Sequence, residues 1–490
     1  MLAGELNLRP VPRLAGMRDA DGLGAGPVET DFAEVERALL SRWAENRVAP
    51  DLERITALTS MLGDPQCSAP VIHIAGTNGK TSTARIIESL LRSCGLKTGL
   101  FTSPDLGSIT ERVQINGMPV SPEQFVAAYQ DVQPYLAIVD QLSADHGGPP
   151  ATMFEAITAL AFAAFADAPV DVMVVECGMG GTWDATNVVQ PAVSVISPIG
   201  LDHVDYLGDN LTAIAGEKAG ILRAGVPAVL SRQDPEAALV LVGRCQALGV
   251  EPCREGVEFA VLHRTVAVGG QMLAIQGLGG EYDDLYLPLH GEHQAANAAL
   301  ALAAVETFLG AWSVDGSRRR LNLDFVRAGF MDARSPGRLE LIFTSPTVLV
   351  DAAHNPHGAR ALAAAVGEAF SFSTVIGVVA VLDGKDVVGL LTELEPLLDT
   401  IVVTANSSPR SLSPDDLAYA AITVFGEERV LAAPTIASAL EAAFGIADDE
   451  RFLGTAGVVA TGSVVTAADA RRLLHRASPE PEDDPRTLLP

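Results

Sequence analysis

The stretch from Val71 to Leu91 constrains the fold more than any other part of this chain. It opens with an apolar, β-branched run, continues through Gly76-Thr77-Asn78-Gly79-Lys80-Thr81-Ser82, and ends in apolar residues at helical spacing. This order predicts a strand, a glycine loop and a helix. Such a loop turns backbone N–H groups toward a phosphate, and the helix N-terminus adds partial positive charge. The stretch therefore predicts a nucleotide-binding loop.

The residues after the loop's second glycine carry its chemistry. Lys80 can reach a terminal phosphate, and the hydroxyls of Thr81 and Ser82 are both candidate Mg²⁺ ligands. A Gly-Lys-Thr triplet also occurs in loops by chance, but the flanking strand and helix make that explanation weak. The general phosphate-loop pattern has a glycine where Ile74 stands, so this loop is a compact variant.

Composition excludes some classes of function. Lys and Arg total 33 against 61 Asp and Glu, and the net charge of −28 argues against nucleic-acid or anionic-membrane partners. Five cysteines without Cys-x-x-Cys spacing predict a reduced, cytoplasmic protein with no zinc site. The start of the chain has no continuous apolar run, and no membrane-spanning segment is evident, so we expect neither a signal peptide nor a membrane span.

A second chemical motif follows the nearly all-apolar stretch from Val170 to Glu176. Such a stretch is typical of a parallel strand covered on both faces. Glu176 stands at its end, directly before a glycine loop, where a carboxylate is a natural metal ligand. Ser103 and His203 also follow predicted strands, although a lone histidine is more often structural. Open α/β sheets bind ligands at this carboxyl edge, so we expect these side chains to lie near the phosphate loop.

The length of 490 residues predicts two or three domains, and patterning along the chain divides it. We predict a disordered extension at residues 1–30, a mostly parallel α/β nucleotide-binding domain at 31–325, and a disordered tail at 478–490. The first domain includes a β-ribbon from Phe259 to Gln276. A polar, Arg-rich junction lies at about residues 313–337, after which strands and helices alternate again. Residues 326–477 therefore form a smaller, Rossmann-like α/β domain.

These motifs resemble, over about residues 32–474, the bacterial folylpolyglutamate synthase and dihydrofolate synthase family of the Mur ligase superfamily. The segments that carry the resemblance are Gly76–Ser82, Glu176–Asn187, His203, Glu217–Ile221, Gln294–Asn297, Pro336–Arg338 and Asp351–Pro356. The Mur peptide ligases are the nearest alternative. They place a UDP-sugar domain before the phosphate loop, and here only about 75 residues precede it, fewer than a typical domain has.

The resemblance implies an ATP-dependent ligase that adds L-glutamate to folates, and also to dihydropteroate, through an acyl phosphate. It implies a monomer that acts with ATP and two Mg²⁺ ions, with K⁺ as a further candidate ion. The implied catalytic residues are Lys80, Glu176, His203 and Lys218. The implied ATP-binding residues are Thr77, Asn78, Gly79, Lys80, Thr81, Ser82, Asn297, Arg338, Asp351 and His354.

By the same resemblance, Ser82 and Glu176 hold the first Mg²⁺, with Thr81 as the alternative hydroxyl, and Ser103, Glu176 and His203 serve the second. Candidate substrate contacts are Asp51, Thr152, Phe154, Ser408 and Arg410. The alternative for Asp51 is a helix cap with no other role. The alternative for Thr152 and Phe154 is a place in a core helix.

Lys218 stands among small and apolar residues, in Ala215-Gly216-Glu217-Lys218-Ala219-Gly220-Ile221. Burial lowers the pKa of a lysine, and the neutral amine can react with CO₂. The resemblance implies that Lys218 is carbamylated and offers an anionic oxygen to Mg²⁺. The alternative is an ion pair with Glu217 or Asp202.

Two other classes of function fit the phosphate loop alone. One is an ATP-dependent regulatory or transport module, and the other is a small-molecule kinase that releases a phosphorylated product. ADP release that depends on glutamate separates a ligase from both.

Overall fold

A computed structural model of the protein describes residues 31–42, 51–310, 319–448 and 455–477. The described residues form two α/β domains, each built on its own sheet, and a small antiparallel sheet attached to the first. This arrangement confirms the predicted fold class. The segments predicted to be disordered, residues 1–30 and 478–490, lie outside the described residues.

The sheet of the first domain is mostly parallel and has the strand order β4-β3-β2-β5-β1-β6-β7-β8. Its strands are β1 Val71–Ala75, β2 Thr98–Phe101, β3 Val113–Ile115, β4 Met118–Pro119, β5 Val172–Glu176, β6 Pro191–Ile196, β7 Ala228–Leu230 and β8 Cys253–Arg254. Strands β3 and β4 are antiparallel at one edge, and the others run parallel. The carboxyl ends of β1, β5 and β6 therefore lie side by side, as the sequence predicts.

Helices cover both faces of this sheet. They are α1 Phe32–Ser41, α2 Glu53–Met61, α3 Lys80–Ser93, α4 Pro122–Asp145, α5 Met153–Asp167, α6 Val204–Leu207, α7 Leu211–Lys218, α8 Pro235–Ala247, α9 Glu292–Phe308 and α10 Leu323–Met331. Across the described residues, none of the helices is both long and apolar enough to cross a membrane.

Alternating side chains of the central strand β1 enter two separate cores, because successive residues of a strand face opposite sides. Ile72 and Ile74 pack with α3, α9 and α10 on one face. Val71 packs with α1, α2, α4 and α5 on the other. The strand is buried on both sides, so the loop that follows it starts from a fixed position.

The predicted ribbon is a three-stranded antiparallel sheet. It consists of β9 Ala260–Ala267, β10 Gly270–Gln276 and β11 Glu281–Leu287. The sequence pattern predicts the first two strands and not the third. Leu285 and Leu287 of β11 join the core formed by α9 and α10, so this sheet belongs to the first domain.

The second domain is a six-stranded sheet in the order β12-β13-β17-β14-β15-β16. Its strands are β12 Glu340–Thr344, β13 Thr347–Val350, β14 Thr374–Val379, β15 Thr400–Val403, β16 Val430–Ala432 and β17 Ala456–Thr461. Its helices are α11 Pro356–Ala369, α12 Val387–Leu394, α13 Pro414–Phe425, α14 Ile436–Ala447 and α15 Val464–Ala477. Only β12 is antiparallel to its neighbour among these described strands, as expected for a doubly wound layer.

Helix α10 spans the position at which the sequence predicts the domain boundary. The boundary predicted between residues 325 and 326 falls inside α10. Val326 and Phe330 on this helix are buried in the core of the first domain. The junction at about residues 313–337 is polar overall, so the sequence pattern does not reveal this short amphipathic helix. The chain enters the second domain after Met331.

The loop after β2 also links the domains. Leu106 in this loop is 6% exposed and packs with Val348 and Val350 of the second domain. Its δ-carbons lie so close to Gly337 that a Cβ there would be 2.9 Å from them. The same loop carries Ser103, so a predicted site residue is physically connected to the second domain.

Candidate active site

A cleft of about 520 Å³ lies where the carboxyl ends of the two main sheets face each other. Both domains line it, and every predicted site residue except Ser408 belongs to its lining within the described chain. The hydroxyl of Ser408 instead accepts a hydrogen bond from the backbone N–H of Arg410, 3.2 Å away, so it shapes the turn that presents Arg410.

The phosphate loop is fixed by backbone contacts to the segment after β6. The N–H groups of Thr77 and Asn78 both donate to the carbonyl of Pro198, at 2.9 and 3.2 Å. Helix α3 begins at Lys80, whose ammonium donates to the carbonyl of Thr77 at 3.2 Å. This lysine therefore lies across the loop, where a phosphate would meet it.

Glu176 ends β5 with its side chain 1% exposed. One carboxylate oxygen accepts from the hydroxyl of Thr81 at 2.9 Å, and the other accepts from the N–H of Ser103 at 3.3 Å. Burial raises the pKa of Glu176, while the charge of Lys80 opposes that shift. The carboxylate thus has a hydroxyl and a cation beside it.

The sequence leaves open whether Thr81 or Ser82 is the Mg²⁺ ligand, and their hydroxyls have different surroundings in the structure. The hydroxyl of Ser82 lies 2.9 Å from that of Ser335 and accepts from the amide of Gln294 at 3.2 Å. Gln294 in turn accepts from Asn297 at 3.1 Å, which places both predicted α9 residues beside the loop. Only the hydroxyl of Thr81 contacts Glu176 among the described loop residues.

Among the described residues, no three side chains of His, Cys, Asp or Glu converge as a metal-binding group. The carboxylate and hydroxyl oxygens near Glu176 are nevertheless of the type that Mg²⁺ prefers, and bound phosphates would add more. His203 stands slightly apart at the start of α6, with a positive φ of 52°. Its Nε2 lies 3.8 Å from Asp202, and its side chain is 41% exposed.

Lys218 ends α7 and is 4% exposed. Burial lowers its pKa to about 7, and the charge of Lys80 contributes in the same direction. Neither alternative ion pair forms. The carboxylate of Glu217 accepts from the backbone of Thr182 at 2.9 Å, and Asp202 is engaged by residues of the second domain. Within the described parts of the chain, Lys218 therefore has no salt-bridge partner.

The glycine loop after β5 packs directly on the end of α7. Asn187 donates to the carbonyl of Thr182 at 3.0 Å, and Thr182 donates to that of Glu217 at 3.1 Å. A Cβ at Gly220 would come within 2.2 Å of the Thr182 hydroxyl and 2.6 Å of its backbone nitrogen. This close approach holds the glycine loop against the backbone on both sides of Lys218.

We predict that Gly220→Ala displaces this loop. Overpacking of this kind typically costs about 1–3 kcal/mol, and the displaced loop should also lower activity. Urea unfolding monitored by circular dichroism measures the stability. Gly216→Ala is the matched control, because a Cβ there meets nothing within 4 Å and alanine favours the helix. Equal stability of the two variants would contradict the prediction.

The predicted nucleotide contacts of the second domain lie on two loops. Asp351 is 7% exposed and accepts from the N–H groups of Leu339 and Ala353, both at 2.8 Å. It therefore braces the turn that holds Arg338. The guanidinium of Arg338 donates to the carbonyl of Gly337 at 3.1 Å and lines the cleft.

We predict that Arg338→Ala weakens the use of ATP. A guanidinium in this position can contact phosphate oxygens from the second domain while the cleft is closed. The Michaelis constant for ATP should rise, and ATP-induced compaction measured by solution X-ray scattering should decrease. Arg334→Ala serves as the control, because Arg334 is an exposed arginine four residues before Arg338. Unchanged ATP dependence together with unchanged compaction would reject this role.

The candidate substrate contacts in the first domain form one wall of the cleft. Asp51 pairs with Arg54 at 3.2 Å, and Arg54 pairs with the buried Glu155 at 3.1 Å. Glu155 also accepts from the N–H of Thr152 at 2.6 Å in a capping box. Phe154 projects from the same turn, with its ring centre 5.8 Å from that of Phe101. An aromatic surface thus lies beside an ionic one.

The sequence pattern does not predict the cluster of side chains around Asp202. This carboxylate binds the ammonium of Lys385, His354 at 3.0 Å and Asn355 at 3.4 Å, all from the second domain. Burial alone would raise the pKa of Asp202, but His354, with His203 and Lys385, holds it well below its usual range. The available signal was its position directly before His203, after a buried strand.

The phosphate loop, the buried carboxylate at a strand end and the cations of a second α/β domain define a nucleotide-dependent enzyme. Comparison with known proteins narrows this class. The Mur ligase middle domain family matches residues 74–305, and the family described as "Mur ligase, glutamate ligase domain" matches residues 337–463.

Individual relatives are similar over nearly the whole chain. A Mycobacterium tuberculosis protein named dihydrofolate synthase/folylpolyglutamate synthase is 52% identical over 474 residues, covering 92% of this chain and 96% of the relative. The solved M. tuberculosis folylpolyglutamate synthase complexed with ADP has a TM-score of 0.86 at 51% identity, covering 92% of this chain and 99% of that one. Escherichia coli FolC in complex with DHPP and ADP has a TM-score of 0.78 at 29% identity, covering 93% and 100%. The chain belongs to the dihydrofolate synthase/folylpolyglutamate synthase family of Mur-type, ATP-dependent ligases.

Proposed function

We propose that this protein joins L-glutamate to folates in an ATP-dependent reaction and so makes folylpolyglutamates, including those of tetrahydrofolate. The observation that carries this proposal is a single cleft in which Lys80 and Glu176 of one domain face Arg338 of the other. A ligase must hold the ATP phosphates next to the carboxylate that they activate. The names of the relatives support this assignment.

The reaction has two chemical steps. A carboxylate oxygen of the folate attacks the γ-phosphorus of ATP, and the bond from that phosphorus to the leaving oxygen of ADP breaks. The amine of L-glutamate then attacks the carbon of the resulting acyl phosphate, phosphate leaves, and the amine proton passes to solvent. Neither step needs a protein nucleophile, because positioning and charge neutralisation are sufficient. Lys80 and Arg338 supply positive charge from this chain.

Mg²⁺ belongs to the same proposal, and its oxygen ligands fit the surroundings of Glu176. In our assignment Thr81 and Glu176 would hold the first ion, since the hydroxyl of Ser82 contacts Ser335 and Gln294 instead. Ser103, Glu176 and His203 would hold the second. Bound Mg²⁺ would neutralise charge on the phosphate oxygens. The predicted K⁺ stays a prediction.

We also propose that Lys218 is carbamylated. Its burial and its lack of a salt-bridge partner in the described chain support a neutral amine. The nitrogen bonds to the carbon of CO₂ and loses a proton to solvent, which leaves an anionic oxygen near Lys80. Such an oxygen suits a Mg²⁺ ligand.

Dihydropteroate is the second substrate that we propose, which would make the enzyme bifunctional. The relatives named for both activities, and the E. coli structure with DHPP and ADP, support this extension. In our assignment, Asp51, Thr152 and Phe154 contact the pterin portion and Arg410 contacts glutamate. We also propose a monomer and a reducing compartment, and the free thiols of Cys67, Cys94, Cys177 and Cys245 support that compartment.

The test measures ADP release with tetrahydrofolate or dihydropteroate, with and without L-glutamate. We expect release to depend on glutamate with both pterins, and mass spectrometry should detect the added glutamate. Release with a pterin but without glutamate, accompanied by a stable phosphorylated product, would indicate a kinase. Glutamate-dependent turnover with tetrahydrofolate alone would restrict the enzyme to folylpolyglutamate synthesis.

A further inference from the structure

A single carboxylate of the first domain gathers three side chains from the second. Asp202 lies between β6 and α6, and its side chain is 6% exposed. One oxygen binds the ammonium of Lys385, whereas the other lies 3.0 Å from Nε2 of His354 and accepts from Asn355 at 3.4 Å. The backbone N–H of His203 completes the set at 2.8 Å. Each of the three second-domain partners comes from a loop at the carboxyl end of a strand.

The same cluster reaches the phosphate loop. Asn355 also donates to the side-chain oxygen of Asn78 at 3.1 Å. The amide nitrogen of Asn78 lies 3.0 Å from Nδ1 of His357, at the start of α11. A shift of the second domain relative to Asp202 would therefore also alter contacts of the nucleotide loop.

Because Asp202 is buried, removing its charge would leave Lys385 without its partner in a closed cleft. Lys385 is itself 13% exposed, so the pair is screened little by solvent. Removing one partner of a buried, hydrogen-bonded ion pair is costly, because the other charge is left buried and uncompensated.

We propose that Asp202 is a positioning residue that seats Lys385, His354 and Asn355 at the reaction cleft when the two domains meet. In this role it acts through these side chains, because it fixes where the cation and the imidazole of the second domain stand. This inference rests on the proposed ligase function for its rate measurements, but its structural consequence can be measured without turnover.

Another ion pair between the domains provides a matched control. Arg264 of β9 forms a bidentate salt bridge with Glu368 of α11, in which two guanidinium nitrogens donate to the two carboxylate oxygens at 2.6 and 2.7 Å. Neither residue lines the cleft within the described chain. Loss of this pair removes an interdomain tether without touching the cluster around Asp202.

The test compares Asp202→Asn, Lys385→Met and Glu368→Gln in the full chain. We expect the turnover number to fall roughly 10²-fold in the first two, because misplacement of reacting groups has effects of this size. Glu368→Gln should stay within about threefold, in line with the small worth of exposed pairs. The double variant Asp202→Asn/Lys385→Met should lose no more than either single variant, since residues in one contact are not additive. Lys385→Arg should retain most of the activity that Lys385→Met loses.

A second readout is independent of activity. With ADP bound, solution scattering should show a larger radius of gyration for Asp202→Asn than for wild type, while circular dichroism shows both variants folded. Equal losses in Asp202→Asn and Glu368→Gln would reduce Asp202 to a general tether and overturn the proposal. An unchanged turnover number together with an unchanged radius of gyration in Asp202→Asn would also overturn the proposal. Failure of the wild type to consume glutamate would reject the proposed function and leave the scattering result to judge Asp202.

Discussion

Replacing Glu176 with glutamine should lower the turnover number by roughly 10²-fold or more while leaving the protein folded. The side chain is fully enclosed at the end of β5 and accepts hydrogen bonds from Thr81 and Ser103. Glutamine preserves its size but removes the charge that a catalytic Mg²⁺ needs. A 10²-fold loss corresponds to about 2.7 kcal/mol of transition-state stabilisation.

Two measurements make this prediction specific. Thermal unfolding should show that the variant is folded, and raising the Mg²⁺ concentration should recover part of the lost rate. Glu281→Gln, at an exposed glutamate that begins β11, should behave like the wild type. Near-normal activity of Glu176→Gln at ordinary Mg²⁺ would make Glu176 a structural residue and displace the proposed metal site.

Lys218→Ala should lose activity to a similar extent, by roughly 10²-fold, if a carbamate on this lysine ligates the metal. Small carboxylates such as acetate or formate should restore part of the rate, because they can place an anionic oxygen in the space left by the side chain. With a pKa of about 7, Lys218 has a neutral amine fraction that grows as the pH rises through 7. Carbamate formation at fixed dissolved CO₂ should therefore increase over that range.

A carbon NMR spectrum recorded with ¹³C-labelled bicarbonate tests the modification directly. The wild type should show a carbamate signal that Lys218→Ala lacks. Lys97→Ala, at an exposed lysine before β2, should keep both the signal and the activity, and acetate should not affect it. Active, Mg²⁺-loaded enzyme without the signal would leave Lys218 as a cation near the acyl phosphate.

The sequence predicts the residues at strand ends well and their partners poorly. Lys80, Glu176 and His203 could be placed because a local pattern of strand, loop and helix determines where each one points. Asp202 and Lys385 could not be paired, since they are 183 positions apart and meet only after both domains have folded. The orientation of Ser82 depends in the same way on Ser335.

Two helices show the limits of patterning. The sequence pattern does not predict the 24-residue α4, which contains Pro134, although its buried face packs on α5 in the core that also contains Val71. Helix α10 lies in a polar segment, and only its packing against α3 and β11 shows that it belongs to the first domain. Tertiary burial overrides weak local signals in both cases.

The position of Leu106 makes separation of the two domains energetically unfavourable. Its side chain is part of the second domain's core, although its chain neighbours belong to the first. Opening the cleft far enough to separate the domains would expose this leucine to water, at a cost of about 2 kcal/mol. Ser103, three residues earlier, donates to Glu176. Opening of the cleft is thus energetically coupled to the position of Glu176, the carboxylate that we propose as a metal ligand.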